Sequence, residues 1–251
     1  MIPITAVNPV AKLGAGLIVS LFLIVTIDWV SASTALVLEL AIIAFLGIEP
    51  RRFWLRTLPV WIAAPLTALT ILLYGRYEGE VYFEFLLIRI SDGSIELALA
   101  TFLRVLAIGL PAVVLFISID PTDFADGLAQ RLRLPDRFVL GALAAVRMVG
   151  LFVEDWRSLE RARRARGVAD RGRIRRLFGQ AFALLVLSIR RGSKLSIAME
   201  ARGFGGSTSR TWARESHWGG AEWLTLLVGV AIGIAATVVA VLTGSWNLIV
   251  S

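Results

Sequence analysis

Cysteine is absent from the 251 residues, which rules out disulfides and any metal site built on thiolates. Histidine occurs once, at His217, and a lone histidine is read as a surface residue rather than a ligand. No G-x-x-x-x-G-K-[S/T] run occurs, so the phosphate cradle of a P-loop hydrolase is missing. His, Asp and Glu do not cluster at ligand spacing, and no nucleophile stands beside a base. These absences predict no catalysis, no cofactor and no bound metal. Long polar stretches are scarce too. The chain is 57% hydrophobic with a mean hydropathy of +0.76, too apolar for an ordinary soluble domain. The apolar residues come in long runs, and an all-α polytopic membrane protein is the reading they support.

A membrane span needs about 20 apolar residues to cross about 30 Å of hydrocarbon. Five runs meet or approach this length: Leu13–Ile27, Val30–Ile48, Leu58–Tyr74, Ile95–Ile119 and Ala221–Leu242. The first of these has no small-residue cleavage site after it and is read as a retained helix rather than a signal peptide. Phe138–Val153 contains Arg147, and Leu177–Ile189 is short; neither is expected to cross. Charge supports that choice. The net charge is +7, and between Arg157 and Arg176 nine arginines face only two acids, Glu160 and Asp170. Basic sequence stays on the cytoplasmic side, as does "EPRRFWLR" (Glu49–Arg56), whereas the more acidic "RYEGEVYFEF" (Arg76–Phe85) is tolerable outside. The organisation expected is therefore residues 1–118 as four membrane helices, 119–218 as a cytoplasmic module of long amphipathic helices, and 219–251 as a fifth membrane helix. The N-terminus is then inside and the C-terminus outside.

One charged signature recurs in that module. "ARRARG" runs from Ala162 to Gly167 and "AMEARG" from Ala198 to Gly203. In a helix, positions i, i+3 and i+4 share a face, so each pair of alanines neighbours its arginine. Small alanines allow close approach of another surface. Arginine projects a planar fork of donors suited to a carboxylate. Glycine ends the helix. Each copy reads as an insertion knob with an alanine stem, a charged tip and a sharp stop. The apolar stripe of the second helix, Phe182, Leu185, Val186 and Ile189, then Leu195 and Met199, needs cover. Packing within the protein is expected for its earlier part and a partner for the end near Arg202.

These segments resemble the transmembrane T component (EcfT family) of energy-coupling factor (ECF) transporters, in the family's order. "NPVAKL" (Asn8–Leu13) comes first, and "IDPTDFADGLAQRLRLPDRF" (Ile119–Phe138) follows the fourth apolar run. "AVRMVGLFVEDWRSLERARRARG" (Ala145–Gly167) and "RRGSKLSIAMEARGFG" (Arg190–Gly205) resemble the two coupling helices, with "RT" (Arg210–Thr211) after them. The resemblance implies a non-catalytic scaffold of an ABC-type importer in a bacterial or archaeal plasma membrane. Its implied partners are two ABC ATPase subunits, which bind the ATP, and a small membrane S component that captures a micronutrient: a vitamin first, or a metal ion such as nickel or cobalt. Carried over by motif, Ala165, Arg166, Gly167 and Ala201, Arg202, Gly203 would dock on the two ATPases. The arginine-rich stretch Val168–Leu177 exceeds the family pattern and is expected to meet acidic lipid headgroups, at about 1 kcal/mol per residue near the surface; nucleic acid is not an expected partner. A permease that itself conducts substrate is the alternative, but it predicts a polar pathway through the spans. Only Glu39 and Arg104 offer charge there. Buried charges in lipid are usually paired, and these two are expected to pair and fix the helix arrangement. "GVAIG" (Gly229–Gly233) is a surface for close helix packing, either internal or against the S component.

Overall fold

A computed structural model describes residues 7–45, 50–75, 79–85, 88–167, 172–206, 211–212 and 214–246. The chain divides into two compact units, one from residues 1–120 and 217–251, the other Pro121–Ser216. The protein is an all-α polytopic membrane protein.

The first unit holds α1 (Pro9–Val25), α2 (Trp29–Phe45), α3 (Pro50–Tyr74), α4 (Asp92–Ile117) and the last helix of the chain (Gly220–Leu242, called α8 below). Among the described residues, three segments are long and apolar enough to cross a bilayer: Phe53–Tyr74, Asp92–Ile117 and Gly220–Leu242. The apolar helices α1 and α2 have 17 residues each, about 25 Å of rise. The second expected span reached Ile48, but 46–49 lie outside the described residues, as do 76–78 of the acidic loop, 168–171 of the arginine-rich stretch and Arg210. Two strands also form where a loop was expected: β1 (Val81–Phe85) and β2 (Ile88–Ser91) make an antiparallel hairpin. Their aromatic and β-branched residues favour pleated backbone over coil. Ser91 then closes a capping box with Ser94 and starts α4.

Small residues let the membrane helices approach. Ala35, Ala107 and Ala236 are buried among Leu23, Leu36, Leu106, Leu110 and Ile232. The "GVAIG" of α8 packs internally. A Cβ at Gly229 would stand 2.9 Å from Ala15 O, and one at Gly233 would stand 2.4 Å from the Phe22 ring, both on α1. Leu17, Leu66 and Leu227 point outward, as lipid-facing side chains do.

The ends of α1, α4 and α8 meet in a polar clasp built on "NPVAKL". Asn8 caps α1, its Oδ1 accepting Val10 N–H at 3.0 Å, ahead of Pro9 at the first helical position. Asn8 Nδ2 donates to His217 O at 3.0 Å, and Asn8 N–H donates to Glu222 Oε1 at 3.1 Å. Glu222 Oε2 accepts Gly219 N–H at 2.7 Å, which starts α8. Lys12 Nζ donates to Ser118 Oγ at 3.2 Å and Ser118 O at 3.4 Å, at the end of α4.

The second unit holds α5 (Pro121–Gln130), α6 (Asp136–Ala165) and α7 (Arg173–Ala201). Ala125 and Ala129 of α5 pack on Val139 of α6, with Leu143 and Trp212 over them. The segment returning after α7 is bound to α5. Arg214 pairs with Asp123 at 2.7 Å, and Gln130 donates to Arg214 O and accepts from Ser216 N–H, both at 2.8 Å. Arg147, expected to keep its run out of the membrane, donates to Thr122 Oγ1 at 3.1 Å.

Candidate coupling site

Both Ala-Arg-Gly signatures end long helices, in the same geometry. The helix α6 stops at Ala165, Arg166 follows at φ −89°, and Gly167 turns left-handed at φ +67°. The helix α7 stops at Ala201, Arg202 follows at φ −90°, and Gly203 turns at φ +72°. At the second stop, Gly203 N–H bonds Glu200 O at 2.9 Å and Phe204 N–H bonds Met199 O at 3.0 Å, the two bonds of a Schellman cap. At the first, Gly167 N–H bonds Arg164 O at 3.0 Å. Glycine is required at both places because a side chain at positive φ is strained. Nothing else crowds them, as a Cβ there would meet no atom within 4 Å.

The arginines of the first signature differ in what they do. Arg163 donates to Arg176 O at 3.3 Å and its guanidinium covers Gly179 on α7. Arg164 pairs with Glu160 at 2.6 Å, one helical turn back. The Arg166 side chain makes no hydrogen bond or ion pair with a described residue, and neither does that of Arg202 at the matching place; only their backbone N–H groups bond, to Ala162 O and Met199 O. Ala162, Ala165, Ala198 and Ala201 are all exposed. Each helix therefore offers bare small side chains and one uncommitted guanidinium, next to a C-terminal dipole that favours cations.

One interhelical ion pair relates the two tips. Arg191 of α7 forms an ion pair with Asp155 of α6, with Nη1 2.7 Å from Oδ2, and Nη2 donates a hydrogen bond to Oδ1 at 3.3 Å. The pair spans 36 positions, the same offset that separates the two hexapeptides. Asp155 precedes Arg166 by eleven residues and Arg191 precedes Arg202 by eleven, an arm of about 16 Å on each helix. Late α6 faces early α7 (Arg163 at Arg176), and early α6 faces late α7 around a groove of about 540 Å³ lined by Gly141, Ala144, Met148, Leu195, Met199 and Phe204. The helices thus run antiparallel, and the two arms leave the ion pair in opposite directions.

Two expectations are corrected. Leu195 and Met199, near Arg202, pack against α6, while Phe182, Leu185, Val186 and Ile189 are the exposed part of the stripe. The reason is the crossing: α6 covers the later half of α7 on that side. Glu39 and Arg104 are not brought together. Arg104 donates to Thr26 O, beside Asp28 at the start of α2. Glu39 lies eleven residues further along α2 than Asp28, about 16 Å of rise, and its Oε2 has no hydrogen-bond partner. The clasp was also missed as a site. "NPVAKL" carried a signal in Asn-Pro, a helix start, but its partners are more than a hundred residues away.

A helical membrane protein with a paired, arginine-tipped helical unit is the class these features define. Comparison with known proteins narrows it. The model of the CbiQ family, described as cobalt transport protein, matches residues 3–212. The energy-coupling factor transporter transmembrane protein EcfT of Limosilactobacillus fermentum is 25% identical over 207 residues, 77% of this chain and 77% of its own. EcfT of Exiguobacterium sibiricum is 28% identical over 74% of this chain and 75% of its own. EcfT of Lactobacillus helveticus is 30% identical over 74% of this chain and 71% of its own. The chain belongs to this family of CbiQ and EcfT transmembrane transport proteins.

Proposed function

We propose that this chain is the non-catalytic coupling scaffold of an ECF-type importer in the bacterial plasma membrane. Residues 1–118 and 219–251 serve as its membrane part and 119–218 as a coupling module on the cytoplasmic face. Arg166 and Arg202 each dock on one of two ABC ATPase subunits by meeting a carboxylate, and ATP is bound and hydrolysed by those subunits. The observation that carries this reading is the pair of matched helix ends: two uncommitted guanidinium tips at equal distances from one interhelical ion pair. Two oppositely directed arms of equal length suit a two-subunit motor, because a symmetric dimer presents two equivalent grooves facing opposite ways. The exposed apolar residues Phe182 to Ile189 on α7 suit a membrane-embedded S component. The cargo, a vitamin or a metal ion, is then chosen by that other chain; cobalt is the word the family's description uses.

The test is co-purification and ATP-driven uptake with Arg166→Glu and Arg202→Glu. Each reversal is expected to weaken ATPase binding by about 2 kcal/mol, roughly thirtyfold, and the double variant to lose uptake. Normal assembly and uptake by the double variant would refute the reading.

A further inference from the structure

The membrane unit contains a cavity of about 250 Å³ between α1, α2, α4 and α8. Its walls are apolar except at Lys12, Glu39 and Thr225, and Thr225 Oγ1 is bonded within its own helix to Ala221 O at 2.8 Å. Glu39 is 5% exposed, and its Oε2 is a buried acceptor without a hydrogen-bond partner. A carboxylate in such a place calls for a donor, because an unpaired buried charge is costly. Lys12, 1% exposed, holds the opposite charge at the same cavity and is anchored on Ser118. The mouth lies between α2 and α8. Ile42 and Val228, both 37% exposed, and Leu224, 60% exposed, line the cavity and the lipid-facing surface at once.

Depth decides what reaches the mouth. Lys12 and Leu224 sit in or just after the first turns of α1 and α8, at the clasp end of the unit, and Glu39 lies on the later half of α2, six residues, about 9 Å, before its last described residue, Phe45. The helix α1, capped at both ends, is about 25 Å long against about 30 Å of hydrocarbon, so the bilayer thins beside it and its headgroups sink by a few ångströms. The cavity therefore opens near headgroup level. We infer that this cavity seats the headgroup of a primary-amine phospholipid, phosphatidylethanolamine, with the ammonium donating to Glu39 Oε2 and the phosphate towards Lys12. The chemistry is selective. A choline headgroup has a cation but no N–H to donate, and a glycerol headgroup has donors but no cation.

The full chain is purified in mild detergent from bacterial membranes and its retained lipid is counted by native mass spectrometry. It is then titrated in phosphatidylcholine/phosphatidylglycerol nanodiscs with added phosphatidylethanolamine, and its Tm is followed. Wild-type protein should retain one phosphatidylethanolamine and gain Tm on adding it. Glu39→Gln, nearly the same shape without the charge, should retain at least fivefold less and lose the Tm response. Val228→Trp, which blocks the mouth and leaves Glu39 intact, should do the same if folded. Three results would overturn the inference: equal retention by Glu39→Gln, an equal Tm response to added phosphatidylcholine, or an equal response to soluble ethanolamine, which would make the site one for a free amine. These readouts involve no ATPase, so they stand or fall apart from the coupling function.

Discussion

In the membrane unit buried Asn8 and Glu222 tie α1 to α8 and buried Lys12 ties α1 to the end of α4, whereas in residues 121–216 the side chains of Arg166 and Arg202 stand exposed and bonded to no described residue. Apolar side chains show a related contrast. Leu17, Leu66 and Leu227 face lipid along helices long enough, or nearly so, to cross it, while Phe182 and Ile189 are exposed on a helix rich in arginine. Charge turned inward holds a unit together, and charge turned outward at a capped helix end is available to something else. The membrane unit is thus read as a frame and the second unit as a tool.

The largest effect that would break this contrast is reversal of both tips. Arg166→Glu with Arg202→Glu should remove about 4 kcal/mol of ATPase affinity in all while leaving the Tm of the isolated chain unchanged within a degree or two. Next, Glu222→Ala should do the opposite. It strips partners from Asn8 N–H and Gly219 N–H and should lower stability by about 2–3 kcal/mol in detergent, read by thermal unfolding, with intrinsic tip affinity unchanged. A smaller change is expected at the ion pair between the arms. Asp155→Arg should reduce uptake severalfold and stability by about 1 kcal/mol, since both side chains are partly exposed. The exchange Asp155→Arg with Arg191→Asp should restore both. The smallest concerns Arg164, whose partner is local: Glu160→Gln should cost under about 0.5 kcal/mol and leave uptake intact.

Particular elements show what the sequence made legible. The membrane helices were readable because length and apolarity are local properties, and the helix stops were readable because Gly167 and Gly203 follow runs of helical period. The knob geometry needed nothing beyond i, i+3, i+4 spacing. What escaped reading depends on distance in sequence. Glu222 meets Asn8 across 214 positions, and no local pattern announces that. Arg104 chose Thr26 O and the vicinity of Asp28 over Glu39 because the turn between α1 and α2 sits level with it. The hairpin at 81–91 was missed for another reason: its two strands have five and four residues, and their acidic flank reads as loop. In the stripe on α7, periodicity gave the face but not which half α6 would cover.

The chain's lack of cysteine makes the central claim directly measurable. Single cysteines at the tips, Arg166→Cys and Arg202→Cys, are unique thiols for a short thiol-reactive photo-crosslinker in intact membranes carrying the whole transporter. The coupling account predicts that each position cross-links to an ATPase subunit, and that a chain bearing both captures two subunits. Cross-links from both positions to lipid or nucleic acid alone, with no ATPase captured from the assembled complex, would contradict it.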